Sequence, residues 1–393
     1  VQVTIEMDKA RAGGAGRPHT EDQAVARLLE QLLDEAMRLD ASHLHCDPGE
    51  EHAELAFRTG GLLHPYRQLS TEQARLLVER VTQEADMGAP GQSPTQGGLP
   101  WRGQALEVSL LPVLHGHRMV LRRPPMQSGH RGLEALGIGS ALAQEVRTAL
   151  ADSGLILVAS PANNGRGATL HMLASIAASR TRPLLAIAPN PVPPSAGVTV
   201  IDSRCAAVAD SIIAAIVQDI DVLMIDSIED RAVAAAAMAA AQAGRLVIAG
   251  IEAPSAVAAI QQMRNWRIDA FQLASTMSMV LAQRLVQRLC GTCREPVQAS
   301  GSVSALLGFD PGAIVYAPAG CGACSGTGFS GQTAVFEGIR GDATIRRLVN
   351  DGGDAAILAR HAFIQMPNLG SAARTLARTG VTTPEEAVRI SRG

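Results

Sequence analysis

Lysine is almost missing from this chain: Lys9 is the only one, and the other basic residues are arginines and histidines. No ammonium group beyond the leader can therefore meet a phosphate. Aromatic residues make up 3% of the 393 positions, too few for the stacking platforms that hold single-stranded nucleic acid. A formal net charge of -3 and a pI near 6.4 give no general pull toward nucleic acid or an anionic bilayer. No apolar run approaches the roughly 18 residues of a membrane-spanning helix, and Ala232 to Ala241 reads as a buried helix. The first fifteen positions carry Asp8, Lys9 and Arg11 without an apolar stretch, so they do not read as a signal peptide and the expectation is a cytoplasmic protein.

What is present organises around Gly154 to Met172. Leu155, Ile156, Leu157 and Val158 predict a buried strand, Ser160 to Gly167 a polar turn, and Thr169 onward an apolar helix. Strand, tight loop and helix form the geometry in which backbone N–H groups and a helix N-terminus face an anion. The working form of such a loop needs a Lys for the β/γ-phosphates and a Ser or Thr hydroxyl for Mg²⁺; Arg166 and Gly167 stand there.

A chain of this length predicts two or three domains. Residues 1–20 read as a flexible leader and 21–124 as a small α+β domain. In it, helices are expected at Glu21 to Leu39 and Thr71 to Ala85, and strands at His43 to Cys46, Ala53 to Arg58, Ala105 to Leu111 and Met119 to Arg122. Residues 125–132 read as a linker and Leu133 to Ala151 as one helix. Strands at Pro183 to Ala188, Val198 to Ile201, Val222 to Ile225 and Arg245 to Ala249 alternate with helices at Ala206 to Gln218 and Ala232 to Ala243. That alternation predicts an α/β, RecA-like P-loop domain over 133–280, with a mostly parallel sheet and its crevice at the strands' carboxyl ends. Asp226 and the loop fall at that edge. The region 341–393 is expected to be helical, with a turn at Gly380 to Thr383 and a helix begun by Pro384.

Cys46 and Cys205 read as small core residues. Cys290 and Cys293 are followed, after 27 residues, by Cys321 and Cys324. Two such pairs can hold a tetrahedral Zn²⁺ through four thiolates; a redox pair is the alternative. A structural zinc module is expected over 281–340.

Several motifs then resemble the ATPases that assemble type IV pili and type II secretion pseudopili. Ala41 to Pro48 is similar to the family's ASDIHxEP, Phe57 to Gly61 to FRxDG, Met119 to Arg122 to VVLR, and Gln218 to Asp221 to QDPD. Leu281 to Cys290 resembles LAQRLVRRLC, Gly326 to Glu337 resembles GTGYxGRxGIYE, and Gly380 to Glu386 resembles GxTTxEE. The resemblance implies a hexamer that hydrolyses ATP and turns an inner-membrane platform protein, associated with the membrane only peripherally. It also implies that Asn163, Asn164, Gly165, Arg166, Gly167 and Ala168 stand at the nucleotide loop with Asp226, and that Arg58 and Arg122 reach a neighbour's phosphates.

The same resemblance exposes the departures. The family's GPTGSGKT is replaced over Ser160 to Gly167, Ser227 stands at the catalytic Glu position, Glu252 at the His of STLHT, and Ile187 to Asn190 at the acidic box. Ala56 and Glu107 replace two further arginines, and the expectation from the resemblance is a chain without the family's N-terminal docking domain. A missing general base alone lowers rates about 10² to 10⁴-fold. The expectation is an assembly or regulatory subunit of low activity, in a homo- or hetero-hexamer that includes an active paralogue in one version. An altered but working motor is the alternative, and ATP with Mg²⁺ stays open as a ligand. A zinc-ribbon nucleic-acid binder, a third class, is disfavoured by the charge and the scarcity of aromatics.

Overall fold

The computed structural model describes residues 18–102, 104–123, 132–179, 181–189, 198–204 and 206–392, and of residues 18–22 and 104 the backbone alone. Lys9, Cys205, the linker positions 125–131 and the acidic-box position Asn190 lie outside the described residues. The chain divides into two compact units, Val1–Pro124 and Pro125–Gly393.

The first unit contains α1 (Pro18–Arg38), β1 (His43–Pro48), β2 (His52–Thr59), β3 (Leu62–Ser70), α2 (Thr71–Glu84), β4 (Thr95–Trp101), β5 (Gln104–Val113) and β6 (Gly116–Arg122). Its six strands form an antiparallel sheet in the order β3-β2-β1-β6-β5-β4. Alternate strand residues such as Leu44, Phe57, Val108 and Leu121 pack against Leu29 and Leu32 of α1 and Leu77 and Val81 of α2. Cys46 belongs to this core, where burial pushes its thiol up to about 11. Strands β3 and β4 had no counterpart in the sequence reading. Pro65, Gly97, Gly98 and Pro100 mask them, and both are edge strands, where proline removes no needed ladder bond.

The second unit opens with a short 3₁₀ turn, Leu133–Leu136, and α3 (Ser140–Ala151). The single helix expected over this stretch is broken because Gly137 takes φ +94°, a left-handed conformation that ends a helix. Then come β7 (Gly154–Ser160), α4 (Arg166–Ala177), β8 (Leu184–Ala188), β9 (Val198–Asp202), α5 (Val208–Ile216), β10 (Val222–Ile228), α6 (Arg231–Gln242), β11 (Leu246–Glu252), α7 (Ala256–Asn265), α8 (Ala270–Thr276) and β12 (Met277–Leu289). The chain ends with β13 (Arg294–Gln298), α9 (Gly301–Leu307), β14 (Ile314–Pro318), β15 (Phe329–Arg340), α10 (Ala343–Asn350), α11 (Ala355–Ala362), α12 (Leu369–Arg378) and α13 (Pro384–Ser391).

The central sheet runs β15-β12-β7-β11-β10-β8-β9 and is parallel except for the β12–β15 pair. Both faces are covered, which is why its strands are continuously apolar. Leu155 and Leu157 of β7 face a core shared with α6, α7 and the C-terminal helices, and Ile156 and Val158 face one shared with α3 and α4. The expectation of a separate module over 281–340 does not match this topology. β12 and β15 are strands of the central sheet, and only the segment between them, with the β13–β14 hairpin, stands outside it.

Candidate functional site

Strand β7 ends at Ser160, and the polypeptide turns through Asn163 at φ +59° and Gly165 at φ +79° into α4, which begins at Arg166 rather than at Thr169. Gly167 and Ala168 occupy the first turn of α4. On the neighbouring strand β11, Glu252 is the register partner of Ser160. On the next strand, Asp226 and Ser227 lie in a register irregularity between Ile225 and Ile228. The loop and Asp226 thus gather at one carboxyl edge, as the alternation of strands and helices implies, and Ser227 and Glu252 lie at the same edge. His171 on α4 is held below the ordinary histidine value by burial, with the Asp226 charge opposing. Asp230 is the N-cap of α6 and accepts the Val233 N–H at 2.8 Å, a structural task.

Sequence reasoning passed over Gly250. A Cβ there would lie 2.1 Å from the Asp226 carbonyl oxygen, 2.8 Å from Arg166 Nε and 3.0 Å from Arg166 Cδ. The Arg166 side chain therefore lies across bare backbone at the sheet edge. A glycine inside a strand pattern is the available signal for such a close approach.

Also unforeseen is the hold that β12 has on the loop. The last β12–β7 register pair is Ala282 with Ala159, so β12 runs on beyond β7. The Leu285 N–H there donates to Asn164 Oδ1 at 3.0 Å, and Gln283 Nε2 donates to the Asn164 carbonyl at 2.6 Å. Gln283 is 2% exposed.

Arg58 and Arg122 belong to the first unit, where both are register partners of His43, one on each side of β1. Each guanidinium is engaged within that unit. Arg122 pairs with Glu107 at 3.0 Å, and Arg58 Nη1 donates to the Gly61 carbonyl at 2.8 Å. Burial and the Arg122 charge push His43 down to about 4.

The four tail cysteines converge, their sulfurs all within 4.8 Å of one another. The Cys290–Cys321, Cys293–Cys324 and Cys321–Cys324 sulfur separations are 4.0, 3.8 and 3.8 Å. A tetrahedral ion with thiolate bonds of about 2.3 Å requires edges of about 3.8 Å, so the cluster fits a metal ion. Burial opposes the Cys324 charge, but N–H groups of Cys321 and Gly328 at 3.2 and 3.1 Å bring its thiol down to about 6.

A doubly covered, mostly parallel sheet with a left-handed turn and an uncapped helix start after a central strand defines a RecA-like P-loop domain. The chain belongs to the family described as Type II/IV secretion system protein, whose family model matches residues 18–389. The Type II secretion system protein E of Pseudomonas aeruginosa is 33% identical over 384 residues, covering 95% of this chain and 76% of that protein. The Type II secretion system ATPase E of Vibrio cholerae is 28% identical, covering 95% and 76%. In fold, the chain resembles the Legionella pneumophila ATPase DotB, with a TM-score of 0.65, 15% identity and coverage of 93% and 96%. The pilus retraction motor PilT with bound ADP gives 0.63, 18%, 92% and 96%. Among the described residues no helix is long and apolar enough to cross a membrane.

Proposed function

We propose that this chain serves a type II secretion or type IV pilus machine as a subunit with little or no ATP turnover, in an assembly or regulatory capacity. The observation that carries the reading is the Arg166 side chain lying over Gly250 beside the Asp226 carbonyl, followed at once by Gly167. A planar guanidinium does not reproduce a lysine point charge, and glycine offers Mg²⁺ no hydroxyl. Ser227 supplies no carboxylate where the resemblance places the general base, a loss of about 10² to 10⁴ in rate. In this reading the partners are an inner-membrane platform protein and, within a hexamer, further copies or an active paralogue. The four cysteines hold a structural Zn²⁺ that braces the segment between β12 and β15.

A second reading, a working motor with an altered site, draws on Arg166 and Asp226 sharing one edge. Phosphate release from Mg·ATP by metal-replete protein, alone and beside an active relative, separates the two. Turnover at least about 100-fold below the active relative is expected, and comparable turnover overturns the proposal. If some turnover is seen, an Arg166→Ala, Asp226→Ala double variant that leaves it unchanged marks it as contamination.

A further inference from the structure

Along one edge the overhang of β12 keeps its antiparallel ladder with β15, Leu285 opposite Ala334 and Gln287 opposite Gln332; its other edge is held from two directions. From the loop, Asn164 Oδ1 accepts the Leu285 N–H. From the C-terminal segment, Arg389 Nη2 donates to the carbonyl of the same Leu285 at 2.8 Å. Two residues on, the Gln287 N–H donates to Glu386 Oε2 at 2.9 Å, and its carbonyl accepts from Thr382 Oγ1 at 2.6 Å. The Leu289 N–H then donates to the Val381 carbonyl at 2.9 Å. Arg389 is itself set by a two-pronged pairing with Glu386, at 2.9 Å on both prongs. An open strand edge carries obligatory donors and acceptors, and here one edge is divided between the phosphate-type loop and the Val381–Arg389 segment, which runs from the turn before α13 to its last turn.

From this we infer that docking of the Val381–Arg389 segment sets the geometry of the Ser160–Gly167 loop, the two being coupled through Leu285. Without Arg389 and Glu386 the overhang keeps its register with β15, but its outer edge loses the bonds to the Leu285 carbonyl and the Gln287 N–H, and the Leu285 N–H no longer meets Asn164 at a fixed place. The loop then relaxes away from β12, although none of its own residues has changed. The coupling is reciprocal, as any equilibrium linkage is. It holds whether or not the loop receives a nucleotide, so its test is independent of turnover.

The test is hydrogen exchange across the full metal-loaded chain, comparing the parent with Arg389→Ala, Glu386→Gln and Asn164→Ala. In both α13 variants, the amides that tie the loop down, Thr169 N–H on the Gly165 carbonyl and Leu285 N–H on Asn164, exchange roughly fivefold faster or more, while those of β7 and β11 keep parental rates. In Asn164→Ala, α13 amides accelerate along with the loop. Loop rates unchanged in the α13 variants overturn the coupling. So does acceleration of β7 and β11 together with the loop, which is general destabilisation, and so does an Asn164→Ala variant that loosens the loop but leaves α13 alone.

Discussion

The carboxylate of Glu337 accepts the main-chain N–H of Ala256 at 2.8 Å, and its second oxygen accepts that of Leu369 at 3.0 Å. One 3%-exposed side chain on β15 thus ties down the first turns of both α7 and α12. A buried N–H left without an acceptor costs about 1–3 kcal/mol. Glu337→Ala is therefore expected to cost about 2–5 kcal/mol in chemical denaturation. Glu337→Gln should cost less, since it keeps one acceptor while turning an amide N–H₂ against the other donor.

Gly250→Ala puts a methyl group against the Asp226 carbonyl and Arg166. Overpacking of this kind costs about 1–3 kcal/mol. Combining it with Arg166→Ala should recover part of that loss, because the guanidinium is one of the two obstructions. Additive losses in a double-mutant cycle would show that the two positions do not meet.

Burial works against the Glu386 charge, but hydrogen bonds from Arg389 and the Gln287 N–H outweigh it and hold the carboxyl below the usual glutamate value. A folded-state value lowered in this way gives stability that is present above the unfolded value near 4.3 and lost as pH falls through the folded one. Thermal midpoints of the parent should fall more steeply below about pH 4 than those of Glu386→Gln.

His43 sits at about 4, against about 6.5 in the unfolded chain. Between those values the unfolded chain binds the extra proton, so stability rises with pH across the window and is lost on the way down. His43→Gln should flatten that slope in a pH series of denaturant midpoints.

Metal analysis of the purified protein should find one tightly held ion per chain, expected to be zinc, and Cys321→Ser should bring it close to none. Exchange protection in β13 and β14 should drop on chelation, while β10 and β11 stay protected. An ion content unaffected by Cys321→Ser would remove the cluster from consideration as a metal site.

Much of this molecule is legible from residue order because its apolar pattern is strong. Leu155 to Val158, Val222 to Ile225 and the Ala-rich α6 each declare themselves, and the loop and Asp226 come together because strand-helix alternation leaves them one edge to share. The edge strands β3 and β4 are hidden by prolines and glycines that only an edge tolerates. The meaning of the Gly380 to Glu386 motif is hidden for a different reason. Thr382 and Glu386 serve an overhang of β12 nearly a hundred residues away in the chain, and periodicity reports nothing about such distant partners. Local signals for α7, α8, α10 and α11 do exist in Ser255, Asp269, Asp342 and Asp354, each of which caps its helix through a side-chain oxygen.

The cysteine-bearing segment leaves the central sheet from β12 and re-enters it in β15, the antiparallel neighbour of that same strand. In topological terms it is an excursion from a hairpin. The chain could lengthen or shed it over generations without re-threading a single strand, so the four-cysteine cluster and the parallel sheet can have separate histories inside one continuous polypeptide.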